Sequence, residues 1–205
     1  MPNWCANSLK LVAKTTDSEK KLAEIVQELA RAKAAGDDAA IFNLVKPIPK
    51  SLHITAGFLG LGTPEQSALL EAEKKNQDTY GYKNWYEFCT GEWGTKWEAR
   101  TQEDLFIIDG NQVTIFFDTA WSPPMGIYHA LEDMGFHVEA TYVEQGMGYI
   151  GYYTNGMDTC EQMAQFYSQD NTSEENEEDF PVVCEKVDKF FKRSGFNHMP
   201  SNLGG

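Results

Sequence analysis

The spacing of hydrophobic and polar residues predicts a strand followed by a helix near the start of the chain. Leu9 and Leu11 alternate with neighbouring residues over 7–13, which is typical of a β-strand with one buried face. A helix is then expected between a cap at Thr16 or Asp17 and a stop at Gly36, because apolar residues recur there every three or four positions: Leu22, Ile25, Val26, Leu29.

Residues from about 40 to 95 interrupt this order with proline, glycine and aromatic residues. The segment 41–49 begins as an extended run, which Pro47 and Pro49 end. The glycines of 56–63 fit no phosphate-binding pattern, so we expect a flexible loop. Three more elements are predicted: a helix from Thr63-Pro64-Glu65 to about Asn76, a short helix over 82–89 with Trp85 and Phe88 turned inward, and a turn with the opening of a strand over 93–97.

The middle of the chain carries a strong hairpin signal. Asp109-Gly110 separates two apolar runs, 105–108 and 112–117, and this dipeptide favours tight turns. Further elements follow in order: a helix from Pro123-Pro124 to Gly135 with Ser122 as its cap, a strand over 136–144, a turn over 146–148, and a strand over 149–153. Together these elements predict an α+β fold, an antiparallel sheet backed by helices.

The last fifty residues change in character. A helix is expected over 158–167, and 170–179 is an acidic stretch without a hydrophobic residue, which predicts a solvated linker. Over 180–191 one helical face collects the apolar residues Val183, Val187, Phe190 and Phe191. The chain is therefore divided into a domain over 1–157, with an insertion at about 40–95, and an acidic linker with a helical C-terminal extension over 158–205.

Several short aromatic motifs occur in order along the first 155 residues: Met1-Pro-Asn-Trp-Cys-Ala-Asn7, Phe42 with Pro47-Ile-Pro49, Tyr80-Gly with Asn84-Trp-Tyr86, Trp93-Gly-Thr-Lys-Trp97, Thr119-Ala-Trp-Ser-Pro-Pro124 and Tyr142-Val-Glu-Gln-Gly146. They resemble the Api92-like or YubB-like (DUF1281) proteins of phages and conjugative plasmids. The resemblance implies a ferredoxin-like α+β domain and a mobile-element origin in a bacterial cytoplasm. The resemblance does not imply an enzymatic reaction. The name of the fold describes its topology and gives no reason to expect an iron–sulfur cluster.

The charge balance narrows the choice of partners. The chain has 31 acidic and 17 basic residues, a net charge of −14. Such a surface repels phosphate backbones at long range, so unspecific nucleic-acid binding is disfavoured and a basic partner is favoured. No apolar run has the roughly 20 residues of a membrane span, and the first residues lack a secretory signal. We expect a soluble cytoplasmic protein with no membrane partner.

Metal-binding and catalytic motifs are missing from the sequence. Four scattered cysteines form no CxxC pair, and four histidines show no metal-ligand spacing: Cys5, Cys89, Cys160, Cys184, His53, His129, His137, His198. We therefore expect no metal, no cofactor and no catalytic residue. A metal-dependent hydrolase or nuclease is kept as an alternative, because some acids lie near predicted strand ends: Asp109, Asp118, Glu139, Glu144.

The tryptophans are expected to form one aromatic core, made of Trp4, Trp93, Trp97 and Trp121. The alternative is a cleft for a ligand or a protein, with polar contacts from Asn3, Asn7, Asn84, Lys96 and Asp118. A buried Lys96–Asp118 or Lys96–Glu144 ion pair would be structural in most proteins, and would indicate function only if its groups faced a cavity.

The sequence favours a non-catalytic accessory protein that binds a host or element-encoded protein. One form of this hypothesis is an acidic decoy that occupies the basic groove of a nucleic-acid-binding protein and inhibits a defence or nucleic-acid-processing system. The candidate partner-binding residues are Glu174, Glu175, Glu177, Glu178, Asp179, Tyr149, Tyr152 and Tyr153. Single-stranded nucleic acid stacked on Tyr142, Tyr149, Tyr152 and Tyr153 is the alternative, although basic residues do not interleave with these tyrosines.

Overall fold

The computed structural model describes residues 3–163, with the side chains of 102–105 excepted. Within this range six strands form one antiparallel sheet in the order β2-β3-β1-β4-β5-β6. The strands are β1 (Trp4–Ala13), β2 (Arg100–Asp109), β3 (Gln112–Ala120), β4 (Phe136–Glu144), β5 (Tyr149–Thr154) and β6 (Met157–Gln162). The helices are α1 (Thr16–Ala35), α2 (Ile41–Val45), α3 (Pro64–Tyr80), α4 (Trp85–Phe88) and α5 (Met125–Asp133).

The first four strands have ferredoxin-like connectivity. The chain runs β1-α1-β2-β3-α5-β4, and β1 lies between β3 and β4 in the sheet. Helices α2 to α4 are inserted between α1 and β2, while β5 and β6 extend the sheet beyond β4. The predicted ferredoxin-like α+β fold with a helical insertion is confirmed. The predicted helical extension, from residue 164 onward, lies outside the described residues.

One face of the sheet is covered by α1 and α5. Alternate strand residues point to the same face, so the apolar positions of β1, β3 and β4 meet the apolar stripes of these helices. The buried residues that do this include Leu9, Leu11, Ile115, Phe117 and Val138 on the sheet, and Ile25, Leu29, Ile127 and Leu131 on the helices. Burial of this apolar surface, at about 25 cal/mol per Å², drives the packing.

Helix α1 begins one residue earlier than the sequence suggested. Thr15, and neither Thr16 nor Asp17, is the cap: its Oγ1 accepts the Ser18 N–H at 3.1 Å, and the Ser18 hydroxyl oxygen accepts the Thr15 N–H at 2.9 Å. The reciprocal pair satisfies two amide groups that the helix leaves free. Gly36, in the left-handed region at φ 67°, ends the helix as predicted.

The segment 41–45 is a helix, so the predicted extended run is wrong. The Glu98 carboxylate accepts the N–H groups of Phe42 at 2.7 Å and Asn43 at 3.0 Å, which satisfies the free amides at the start of α2. Because this cap comes from more than fifty positions away in the chain, local spacing did not reveal it.

Three local predictions need correction. Trp93 ends a π-helical turn over Cys89–Trp93, and β2 starts only at Arg100. Asp109 pairs with Gln112, so the hairpin turns at 110–111. The Ser122 hydroxyl donates to the Gly94 carbonyl at 2.6 Å, and does not cap α5, which begins after Pro124 without a side-chain cap. The predicted helix over 64–76 is confirmed and extends to Tyr80.

The final hairpin differs most from the prediction. Residues 158–162 belong to strand β6, which pairs with β5, so a helix starting at Asp158 is wrong. The boundary drawn at residue 157 therefore falls inside the β5–β6 hairpin. The acidic stretch 170–179 and the predicted helix over 180–191 lie outside the described residues. None of the helices in residues 3–163 has the length and apolar character needed to cross a membrane.

Candidate functional site

Trp93 belongs to the hydrophobic core. Its side chain is 1% exposed, and its ring packs edge-on against Phe42 at 5.6 Å and Phe88 at 6.4 Å between centroids. The indole N–H donates to the Lys46 carbonyl at 2.8 Å. A buried indole with its N–H satisfied is a structural residue.

The other three tryptophans of the predicted core, Trp4, Trp97 and Trp121, form a separate group with neighbouring side chains. We call this group the aromatic cluster: Trp4, Tyr86, Lys96, Trp97, Arg100 and Trp121. The Trp4 and Trp97 rings lie 6.1 Å apart, and the Arg100 guanidinium lies 5.2 Å from the Trp4 ring. The Lys96 ammonium lies 4.4, 5.4 and 5.6 Å from the rings of Trp97, Trp121 and Tyr86. The prediction of one aromatic core is therefore wrong.

The aromatic cluster forms where several strands end. Trp4 opens β1 and pairs with Ala120 at the end of β3, next to Trp121. Arg100 opens β2 and pairs with Asp118 of β3. Because neighbouring strands are antiparallel, the start of β1, the start of β2 and the end of β3 meet at one end of the sheet.

Trp121 has an unusual backbone conformation. Its φ of 71° lies in the left-handed region, which costs a non-glycine residue of order 1–3 kcal/mol. Two hydrogen bonds hold it there: the Trp121 N–H donates to the Asn3 carbonyl at 2.9 Å, and the Tyr149 hydroxyl donates to the Trp121 carbonyl at 2.6 Å. The side chain is nevertheless 43% exposed. A strained backbone that presents an exposed indole marks this position as a candidate for function.

Lys96 and Glu144 lie in different surroundings. Across the described part of the chain, Lys96 makes no ion pair with Asp118 or Glu144. Glu144 is fully buried, and its carboxylate accepts the N–H groups of Gly146 and Met147. Glu144 therefore shapes the β4–β5 turn.

Two of the predicted polar contacts are structural. The Asn7 amide donates to the Cys5 carbonyl at 2.7 Å and to the Thr119 hydroxyl at 2.9 Å, inside the core. The Asn84 side chain accepts the N–H groups of Tyr86 and Glu87 and so caps α4. Of the predicted polar residues, Lys96 is part of the aromatic cluster, and Asn3 supports it through its carbonyl.

The tyrosines of the last hairpin are less accessible than expected. Tyr153 is fully buried, with its hydroxyl donating to Glu132 at 2.6 Å. Tyr142 is 1% exposed and donates to Asp158 at 2.6 Å. Burial raises the pKa of both phenols far above the usual range. Tyr149 and Tyr152 are half-buried. The Tyr142 and Tyr153 rings are therefore not accessible to a stacked base, and the Tyr153 ring is not accessible to a protein partner.

The thiols and carboxylates fit structural roles. Cys5 and Cys89 are buried, whereas Cys160 is exposed. Burial raises the pKa of Cys89 to about 12, so its thiol stays protonated at neutral pH. Asp109 accepts from Gln112, and Glu139 pairs with Lys10 at 3.1 Å. Within residues 3–163, no three His, Cys, Asp or Glu side chains lie close enough to hold a metal ion.

A second surface was missed by the sequence reading. We call it the insertion patch: Phe58, Leu59, Leu61 and Leu70, which are 69%, 45%, 92% and 54% exposed. Such a group of exposed large apolar residues is uncommon on a soluble monomer and marks interaction sites. The apolar residues lie between the glycines of 56–63, where the sequence pattern predicts a loop but not which of its side chains are exposed.

The insertion patch is tied to the start of α3. The Leu59 N–H donates to the Gln66 side chain at 2.7 Å, and the Thr63 hydroxyl donates to the Gly60 carbonyl at 3.1 Å. Thr63 also caps α3 by accepting the Gln66 N–H. Leu70 lies four positions after Gln66 and shares its helix face. The loop is therefore held against the start of α3, the helix that carries Leu70.

The predicted acidic partner-binding residues, Glu174, Glu175, Glu177, Glu178 and Asp179, lie outside the described residues.

Part of the chain matches a known protein family. A family model described as the ferredoxin-like domain in Api92-like protein matches residues 92–185. A crystal structure of a protein api92 from Yersinia pseudotuberculosis superposes with a TM-score of 0.41 and 11% identity, over 83% of this chain and 100% of that chain. None of the curated proteins matches the chain. The insertion patch precedes the matched residues, whereas most of the aromatic cluster lies within them.

Proposed function

Because residues 92–185 match the family model of the ferredoxin-like domain in Api92-like protein, we propose that this chain is a non-catalytic accessory protein of a phage or plasmid. It binds a host protein in the bacterial cytoplasm. The single observation that carries this proposal is the insertion patch, whose apolar side chains are exposed at the start of α3. Large apolar side chains on a fixed backbone give a protein interface its buried centre.

The surroundings of the patch indicate the chemistry of the partner. Glu65, Glu71 and Lys74 are exposed on α3, the helix that carries Leu70, and the whole chain carries a charge of −14. An apolar groove with a basic rim on the partner would complement both features. This fits a nucleic-acid-binding host protein, with the acidic run Glu174 to Asp179 as an additional anionic contact. Blocking such a protein would inhibit defence or nucleic-acid processing.

The roles of the buried ionisable groups support a non-catalytic function. The Glu98 and Glu144 carboxylates are used to satisfy backbone amides, and the Cys89 thiol is held protonated. An enzyme needs such groups turned toward a substrate. Stoichiometric metal found in the purified chain by elemental analysis would contradict this part of the proposal and favour the hydrolase or nuclease alternative.

The test is capture of partners from bacterial lysate with the tagged full-length chain and quantitative mass spectrometry. We compare the native chain with a Phe58→Ser/Leu61→Ser double variant. The matched control is Met147→Ser/Met157→Ser, which removes two methionines that are 69% and 66% exposed elsewhere. We expect the patch variant to lose the partner by more than about tenfold, because apolar anchors dominate binding energy. Equal recovery with all three proteins would contradict the proposal.

The decoy form of the proposal is tested by charge. Recovery is expected to fall when salt is raised from about 0.1 to 1 M, since screening shortens the Debye length from about 10 to 3 Å. Reversal of Glu174, Glu175, Glu177 and Glu178 to lysine is expected to lower recovery at low salt. Failure to capture any nucleic-acid-binding host protein at low salt would count against the decoy.

A further inference from the structure

The aromatic cluster has an order of groups that the sequence did not reveal. Cations and rings alternate along it: Arg100, then Trp4 and Trp97, then Lys96, then Trp121 and Tyr86. The sequence argued against nucleic acid because basic residues do not interleave with the hairpin tyrosines. Folding interleaves them with the tryptophans, so that objection does not apply to this surface.

We propose that the aromatic cluster binds a short segment of single-stranded nucleic acid. Bases stack on the rings of Trp121 and Trp97, while Lys96 and Arg100 each contact a phosphate. Such stacking tolerates any sequence, because every base has a flat face. This is a binding function separate from the capture of a host protein by the insertion patch.

The rigidity of Trp121 supports stacking. Its N–H and its carbonyl are each held by a hydrogen bond, to Asn3 and from Tyr149, so the left-handed backbone is fixed before a ligand arrives. The ring is 43% exposed and needs little rearrangement to meet a base. A pre-organised contact loses less conformational entropy on binding than a mobile one.

The cations of the cluster are also available to a phosphate. Among the residues that the structure describes, neither Lys96 nor Arg100 forms an ion pair with a carboxylate; both lie over aromatic rings. An acidic peptide would engage the cations but would leave the ring faces without planar partners, so single-stranded nucleic acid fits both features.

Only two phosphate contacts are expected, which makes the salt dependence shallow. For a single strand, the slope of log K against log salt is about −0.7 per phosphate, so the aromatic cluster predicts about −1.4. The acidic remainder of the surface lowers the overall affinity without adding contacts.

The experiment is titration of the full-length chain with a fluorescently labelled thymidine oligonucleotide of about 12 residues, the size that one such platform covers. Anisotropy and tryptophan quenching are followed across a salt series. Trp121→Gly removes the ring and relieves the positive φ, and we expect it to weaken binding by about 5- to 150-fold. Lys96→Met is expected to reduce the salt slope by about 0.7. Phe58→Ser and Lys74→Met, an exposed aromatic and an exposed lysine outside the cluster, are expected to change neither quantity.

Three outcomes would overturn the inference: no binding at low salt, binding that Trp121→Gly and Lys96→Met leave unchanged, or preferential binding of a glutamate-rich peptide over the oligonucleotide. Thermal melts of each variant establish that loss of binding is not loss of folding. The Phe58→Ser/Leu61→Ser variant keeps the aromatic cluster and should bind the oligonucleotide like the native chain, even though it is expected to lose the host protein. The two proposals can therefore fail independently of each other.

Discussion

Trp93 and Trp121 have the same side chain in opposite surroundings. Trp93 ends the π-helical turn, is 1% exposed and donates its indole N–H to a backbone carbonyl. Trp121 follows β3, is 43% exposed and has a left-handed backbone. The first is buried because the insertion folds over the sheet. The second is exposed because it lies where the strands end. The difference teaches that burial, and not residue type, separates architecture from recognition in this fold.

The largest effect is expected for Trp93→Ala. Loss of the buried indole should destabilise the chain by about 3–5 kcal/mol, because the cavity removes packing against Phe42 and Phe88. Urea denaturation followed by circular dichroism measures the change. A loss below about 1 kcal/mol would place Trp93 outside the core and remove the contrast with Trp121.

Gly126→Ala tests the same region through the backbone. A Cβ on Gly126 would lie 2.0 Å from the Glu92 carbonyl oxygen, so α5 would have to move away from the π-helical turn that ends at Trp93. We expect a cost of about 1–3 kcal/mol or more. Gly57→Ala is the control, since its Cβ meets nothing closer than 4.0 Å. Equal melting temperatures for the two variants would contradict this account of the packing.

Glu98 links the same core to pH. Burial raises the pKa of this carboxyl above its ordinary 4.5, despite the amides that bind it. As pH rises above 4.5, the Glu98 carboxyl loses its proton in the unfolded state before it does so in the folded state. The free energy of unfolding therefore falls between pH 4.5 and the pKa of Glu98 in the folded protein. The unfolding free energy of the native chain, relative to Glu98→Gln, should therefore fall across this window. A relative increase would show that the folded-state pKa is lowered.

The smallest effect on stability is expected for Trp121→Gly. Glycine adopts the positive φ without strain, which stabilises the fold by about 1 kcal/mol. The lost contact between the indole and Lys96 destabilises it by about the same amount, so the two effects offset each other. The melting temperature should thus stay close to that of the native chain, in contrast to Trp93→Ala. A loss as large as that of Trp93→Ala would mean that the aromatic cluster is part of the architecture.

The sequence predicted what depends on local spacing. The spacing from Leu22 to Leu29 indicated α1, and the turn signal near Gly110 indicated the β2–β3 hairpin. The aromatic motifs indicated the Api92-like proteins, whose ferredoxin-like domain model matches residues 92–185. It missed what depends on distant partners. Glu98 caps α2 across the fold. Strand β6, in contrast, is a local partner of β5: Asn155-Gly156, a dipeptide that favours tight turns, joins the two strands, so this signal was present in the sequence.

The candidate sites show the same division. Exposure of the tryptophans depends on where strand ends meet, so a single aromatic core was expected in place of one buried residue and a surface cluster. Tyr153 was predicted to be accessible. It is buried because β5 pairs with β4 and the Tyr153 ring packs into the core between the sheet and the helices. Phe58 and Leu61 were visible in the sequence, but their exposure follows from the anchoring of their loop to Gln66.

Hydrogen exchange of the full-length chain, with and without its captured host protein, tests the central claim most directly. The account predicts that binding slows exchange of the amides over 56–72, which carry the insertion patch, while the core amides around Trp93 stay unchanged. Protection confined to other parts of the chain, with no change over 56–72, would contradict it.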